Sequence, residues 1–313
     1  MSKHVFGLAC LLAVQILIIA FLWMRSDSVD EARATFVSFV ASEVNVIELK
    51  DGDKTIVLSS SQGEWQVDDQ PADELAVASF LTKLGELDAQ WPVASTASSR
   101  RRFEVDENNF QRFVRLLSDE DVLAEFYLGT SPGYEKVHAR AVGSNNIFSL
   151  ALSNYEVAVN RDHWLDKLLF ATTKTPVGVH IDYADDEQTD ASLVHGDEGW
   201  LFNGGPADQA AASNYANRFS NLRILGLSDS QAKTDQVARF TLTIKDKQVQ
   251  FLLLSQADTE DYLLQRDDDN SLYRLASYTA EQILMTDTHF KPEDYSTVGE
   301  DTSLAKEVEG GSK

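Results

Sequence analysis

The chain has 313 residues, of which 27 are basic and 50 acidic, giving a net charge of −23, with six histidines and one cysteine. A surface of that sign repels polyanions, which excludes nucleic acid as a partner. A lone cysteine excludes a disulfide framework, so stability must come from packed cores, and the length suffices for two domains of ordinary size.

Residues 5–23, VFGLACLLAVQILIIAFLW, carry no charge, and Gln15 is their one strongly polar side chain. At ~1.5 Å per residue this run makes a helix about 28 Å long, which matches the hydrocarbon thickness of a bilayer. It predicts a single membrane-spanning helix within residues 1–25, the first few forming a cytoplasmic tip. Lys3 and the terminal amine on one side and Arg25 on the other give little charge bias. The N-terminus is assigned to the cytoplasm because the remainder reads as a folded extracytoplasmic region. A cleaved signal peptide needs small residues just after the apolar core, whereas the chain has Phe21-Leu22-Trp23-Met24-Arg25 there and no Ala-x-Ala pattern before Ala32. Cys10 falls inside the run and reads as a lipid-facing side chain. Without Lys3 and Arg25 the rest of the chain holds 25 basic against 50 acidic residues, a net charge of −25.

Residues 26–44 read as a juxtamembrane stalk or short amphipathic helix carrying Phe36, Val37, Phe39, Val40 and Val44. A tandem duplication follows. Trp65 with Pro71-Ala72-Asp73 recurs as Trp200 with Pro206-Ala207-Asp208 at the same internal spacing, an offset of 135 residues. Under that offset Val77, Phe80, Leu81, Leu84 and Leu87 fall on Ala212, Tyr215, Ala216, Phe219 and Leu222, the stripe of one helical face.

In the first copy, residues 45–175, Val46 to Leu49 and Thr55 to Leu58 predict a hairpin across Asp51-Gly52-Asp53, with a short strand at Trp65. A helix is expected from Pro71 to about Leu87, because proline suits the first helical position and Asp73 complements the N-terminal dipole. Strands are then expected over residues 112–117, 122–128, 136–142 and 147–152, and a short helix over 163–170. The second copy, residues 176–290, repeats the order, with a helix from Pro206, strands over 238–244, 249–254, 262–265 and 272–275, and a helix over 280–285. Short polar turns between consecutive strands make antiparallel sheet. The fold class is therefore α+β: one N-terminal transmembrane helix, then two tandem repeats, each an antiparallel sheet covered by an amphipathic helix. Residues 291–313 lose apolar periodicity and read as a disordered acidic tail.

Gly129-Thr130-Ser131-Pro132-Gly133 fits the G-x-S-x-G pattern of serine hydrolases. That elbow needs a backbone N–H after the serine for the oxyanion hole, and Pro132 has none. A strand, not a helix, is expected after it, so the segment reads as a hairpin loop and the chain as non-enzymatic. No two histidines have metal-site spacing, and Asp267-Asp268-Asp269-Asn270 lacks the alternate ligands and glycine of a calcium loop, so no metal or other cofactor is expected. Arg100-Arg101-Arg102 is the one basic cluster and a candidate partner contact. Trp65 and Trp200 are expected to pack against their helices.

The order of an N-terminal span, a hairpin and W-x5-P-A-D, followed by Phe126-Tyr127-Leu128-Gly129, Lys136-Val137-His138-Ala139-Arg140 and Arg161 to Lys167, resembles an uncharacterised bacterial family. That family is catalogued as a domain of unknown function and is encoded beside gliding-motility-type ABC transporters. In the second copy Leu254-Ser255 stands where Leu128-Gly129 does in the first. The resemblance implies a periplasmic protein held in the inner membrane by residues 5–23. It further implies an accessory role beside an ABC permease, its ATPase and an auxiliary subunit. A periplasmic ligand-binding or sensing module, with a site between the two copies, is the alternative.

Overall fold

The computed structural model describes residues 15–16, 35–228, 233–256, 262–285 and 290. The span expected over 5–23, apart from Gln15 and Ile16, the first part of the stalk and the tail at 291–313 lie outside the described residues. Among the described residues no helix is long and apolar enough to cross a membrane. The chain divides into two compact units between Leu165 and Asp166, earlier than the expected boundary after residue 175. The fold is α+β and rich in sheet.

The first unit contains strands β1 (Val46–Asp51), β2 (Lys54–Ser61), β3 (Glu64–Val67) and β4 (Gln70–Pro71), followed by helices α1 (Glu74–Gly85) and α2 (Ala97–Arg102). Then come a small hairpin, β5 (Val105–Asp106) and β6 (Asn109–Phe110), and strands β7 (Arg112–Ser118), β8 (Asp121–Leu128), β9 (Val137–Ala141) and β10 (Phe148–Leu150). A single helical turn, α3 (Arg161–Trp164), ends the unit. Among the described residues its main sheet has eight strands, ordered β4-β3-β2-β1-β7-β8-β9-β10, and every pair is antiparallel. Alternation in β1 and β2 buries Ile47, Leu49, Ile56 and Leu58 on one face. Helix α1 contacts β3 and buries Val77, Phe80, Leu81 and Leu84, the stripe read from its spacing.

The second unit repeats this order with β11 (Gly178–Tyr183), β12 (Ala191–Gly196), β13 (Gly199–Phe202), β14 (Gly205–Pro206) and α4 (Gln209–Arg218). It continues through β15 (Gly226–Leu227), β16 (Thr234–Ile244), β17 (Lys247–Gln256), β18 (Tyr262–Arg266), β19 (Tyr273–Leu275) and α5 (Ser277–Ile283). Its sheet runs β14-β13-β12-β11-β16-β17-β18-β19-β15. Among the described residues the first eight strands in this order therefore occupy the same places as those of the first unit, and β15 is the one addition to the sheet. Ala212, Tyr215, Ala216, Phe219 and Leu222 are all buried. Phe170 sits in this unit because its ring packs edge-on against Phe251 and Tyr273, at 5.7 and 5.3 Å.

Four expectations need correction. Pro71 and Pro206 do not open helices: each lies in the outermost strand of its sheet, where a residue without an N–H breaks no inner ladder. Helices begin one residue after Asp73 and Asp208, which serve as N-caps. The helix expected over 163–170 stops at Trp164, because Leu165 pairs with Ala72 across a β-bridge. Trp200 is buried, as expected, with its indole N–H donating to Ser213 of α4 at 3.0 Å, whereas Trp65 is only half-buried. In the described part of the expected stalk the backbone makes one 3-10 turn, Ala41–Glu43, and Phe36 packs edge-on against Phe126 and Phe148 of the first sheet.

Candidate functional site

The repeated motif is a strand-to-helix corner built twice. Asp68 and Asp69 in one copy, and Asn203 and Gly204 in the other, turn the chain with positive φ. The following alanine N–H donates back to the tryptophan carbonyl, Ala72 to Trp65 at 2.9 Å and Ala207 to Trp200 at 3.1 Å. The tryptophan N–H donates to the first residue of the helix, Glu74 Oε1 at 2.6 Å or Gln209 Oε1 at 2.7 Å. Asp73 accepts from Leu75 and Ala76 N–H, and Asp208 from Ala211 N–H, which satisfies orphan donors of the first turn. The Asp73 N–H donates to Trp164 and the Asp208 N–H to Phe290. The motif residues Trp65, Pro71, Ala72, Asp73, Trp200, Pro206, Ala207 and Asp208 are scaffold: their backbone groups and the two carboxylates hold the corner.

The Gly129 to Gly133 segment is the loop between β8 and β9. Ser131 Oγ lies 2.6 Å from the Gly133 carbonyl and 2.7 Å from the Lys136 carbonyl, so the hydroxyl pins its own loop. His138 does not reach it. The imidazole stacks on Phe103 at 4.1 Å, with Nδ1 2.9 Å from the Thr130 carbonyl and 3.0 Å from Thr130 Oγ1. Burial lowers the His138 pKa, against the Thr130 hydrogen bond and with help from the Arg102 charge. The ring is a packed residue, held by Phe103 and Thr130.

Around this loop lies an open cleft of about 890 Å³. Its walls come from four places in the first unit: Lys83 on α1, Gln111 and Arg112 at the start of β7, the loop from Thr130 to Lys136, and the turn from Ser153 to Glu156. Asn154 ties two of these walls together, its Nδ2 donating to Gln111 Oε1 at 2.5 Å and to the Gly129 carbonyl at 3.0 Å. Gln111 in turn donates to Glu104 Oε2 at 2.6 Å, and Arg112 donates through Nε to the Val157 carbonyl at 3.1 Å while pairing with Asp51 at 2.9 Å. Lys83 forms an ion pair with Glu156, and the Ser153 N–H donates to the same carboxylate at 2.8 Å. Burial works against ionisation of Glu156, but these hydrogen bonds outweigh it and hold the carboxyl below its ordinary range. Tyr134 and Tyr155 stand at the cleft 90 % and 89 % exposed. A neighbouring cleft of about 490 Å³ shares Lys83 and Lys136 and includes Trp91, which is 80 % exposed.

A family model described as "Domain of unknown function (DUF4340)" matches residues 65–237. The chain belongs to this family. The match begins at Trp65, takes in both strand-to-helix corners and the walls of the cleft, and ends within β16. No curated protein and no solved structure matches the chain.

The arginine cluster is not part of the cleft. It forms the end of α2, where Arg100 is half-buried, 3.4 Å from Asn145 Oδ1 and 4.0 Å from Asp106, while Arg102 lies 4.5 Å from the Phe103 ring. Arg101 and Arg102 are exposed. Among the described residues no group of three or more His, Cys, Asp or Glu side chains is arranged to hold a metal ion. Sequence reasoning missed Lys83, Gln111, Asn154, Glu156 and the two tyrosines. The available signal was tyrosine inside polar turns, Ser131-Pro132-Gly133-Tyr134 and Ser153-Asn154-Tyr155-Glu156, where an aromatic ring has no core to enter.

Proposed function

We propose that the chain is a single-pass protein of the bacterial inner membrane with its bulk in the periplasm. In this reading it is a non-enzymatic accessory subunit of an ABC-type export or gliding-motility-like transport system. The observation that carries the reading is the uncharged run of residues 5–23 ahead of two units whose sheets share one strand order. The two units are then tandem copies of one module, displayed outside the membrane as a binding scaffold. The state of Ser131 supports the non-enzymatic part: its hydroxyl is held by loop carbonyls, the next residue lacks an N–H, and His138 is turned to Thr130. The charge of −23 argues against nucleic acid as a partner. The transporter association rests on the family resemblance.

The test is fractionation followed by crosslinking and pulldown of the full chain from solubilised membranes. Retention in the membrane fraction and recovery of a permease with its ATPase is the expected result. A freely soluble full-length product, or its recovery without transporter subunits, overturns the reading. A second reading is a periplasmic ligand-binding or sensing module; the cleft that supports it lies within the first unit, whereas the sequence reading put the site between the two copies.

A further inference from the structure

We infer that the cleft of the first unit is a binding site for a hexopyranose oligosaccharide. The inference concerns this cleft alone and holds whether or not the chain works beside a transporter.

Three observations carry it. The first is the pair of tyrosines. Tyr134 and Tyr155 leave nearly their whole surface in water beside one concave site, whereas large aromatic rings ordinarily go to cores or interfaces. Axial C–H groups give a hexopyranose ring an apolar face that packs flat on an aromatic face, and an exposed ring is what such packing needs. The second is the chemistry of the cleft walls beside them. Lys83 and Glu156 form an ion pair whose side chains keep 44 % and 37 % of their surface exposed. The pair offers donors and acceptors side by side, which suits two neighbouring sugar hydroxyls, one accepting and one donating.

The third is size and charge. At about 890 Å³ the cleft lies within the range of roughly 300–1,000 Å³ for small-molecule sites, and its neighbour of about 490 Å³ continues it through Lys83 and Lys136. Two adjoining volumes of this size suit a chain of rings more than a single one. Cleft cations are largely matched by anions: Lys83 by Glu156, Arg112 by Asp51, with Glu135 beside Lys136. Such balance disfavours a polyanion such as a polyphosphate.

The test uses full-length protein in a detergent with no sugar headgroup, titrated calorimetrically. The probes are β-1,4-linked glucose and N-acetylglucosamine tetrasaccharides, α-1,4-linked glucose tetrasaccharide, inorganic phosphate and a tetra-alanine peptide. At least one tetrasaccharide is expected to bind, and Tyr134→Ala and Tyr155→Ala are each expected to weaken it about ten-fold, the loss typical of removing one aromatic anchor. Both tyrosines are exposed, so an unchanged unfolding midpoint in these variants shows that the loss is not misfolding. Absence of binding by all three tetrasaccharides overturns the inference. So does sugar binding that survives both tyrosine changes, or binding of phosphate or peptide alone.

Discussion

Gly129 and Phe103 approach so closely that a Cβ on the glycine would stand 1.9 Å from the Phe103 carbonyl oxygen, and 2.5 Å from that of Glu104. The contact is cemented by the Thr130 N–H, which donates to the same Phe103 oxygen at 2.9 Å. Gly129→Ala is therefore expected to destabilise the first unit by about 2–4 kcal/mol, since backbone atoms must move on both sides. Gly133, at the other end of the same five residues, has nothing within 4 Å of its would-be Cβ. Gly133→Ala is expected to change stability by no more than about 0.5 kcal/mol. Urea unfolding of the two variants checks the contrast. In the second unit the strand registers put Leu254 at the matching position, where it pairs with Leu263 in the β17–β18 ladder and Ser255 follows opposite Tyr262, so the ladder runs on through the place where the first unit turns.

The two corners predict matched cap effects. Asp73→Ala and Asp208→Ala are each expected to lower stability by about 1 kcal/mol, because each frees first-turn N–H groups. Pro71→Ala and Pro206→Ala are expected to have smaller effects, as both prolines are exposed and lie in outermost strands. Thermal unfolding of the four variants would show the aspartate pair clearly separated from the proline pair. Equal losses across all four would return the prolines to a helix-starting role.

His138 predicts a pH dependence. Burial holds its folded pKa below the ordinary value of 6.5, so between those two values the unfolded chain binds more protons than the folded one. The stabilising contribution is complete above 6.5 and is lost as pH falls from there through the folded pKa. Glu156 acts in the same direction at lower pH: its contribution is present above the ordinary 4.5 and is lost as pH falls through its depressed folded value. Urea midpoints measured from about pH 7.5 down to about pH 5.5 should fall in the wild type and flatten in His138→Gln. An unchanged slope in that variant would mean that His138 is not the group responsible.

Arg140 is the one fully buried charged side chain among the described residues. Its Nε donates to the Val105 carbonyl at 2.7 Å, one terminal nitrogen donates to the Ser144 carbonyl at 3.0 Å, and the guanidinium lies 4.9 Å from the Tyr127 ring. It thereby joins β9 to the β5 hairpin and to the Ser144 turn, beside the small core of Val105, Phe113, Tyr127 and Ile147. Arg140→Ala is expected to cost about 3 kcal/mol, from a cavity and two orphaned carbonyls. Arg140→Lys should recover only part of it, because an ammonium does not span both carbonyls as a planar fork does. Chemical unfolding of both variants checks the order.

Strand positions were legible along the chain because alternating burial with a period of two survives in single residues: the strands expected near 112–117, 122–128, 238–244 and 249–254 all form. The repeat was legible for the same reason, since Trp65 to Leu87 and Trp200 to Leu222 carry one pattern at one offset. Helix starts were misread, because proline suits a first helical turn and an outermost strand equally well, and only pairing with Gln66 and Leu201 distinguishes them.

The unequal fates of the two tryptophans and the existence of the cleft belong to the folded molecule. Trp200 is buried and donates its indole N–H to Ser213, and the residue 135 positions earlier, Ala78, offers no hydroxyl to Trp65. The cleft gathers Lys83, Gln111, Tyr134 and Glu156, which are far apart along the chain and share no spacing that periodicity detects. They meet because α1, β7, the β8–β9 loop and the turn after β10 converge in one unit. Local pattern dictates which residues enter a core, but surface groups with no burial requirement are brought together only by long-range pairing of strands.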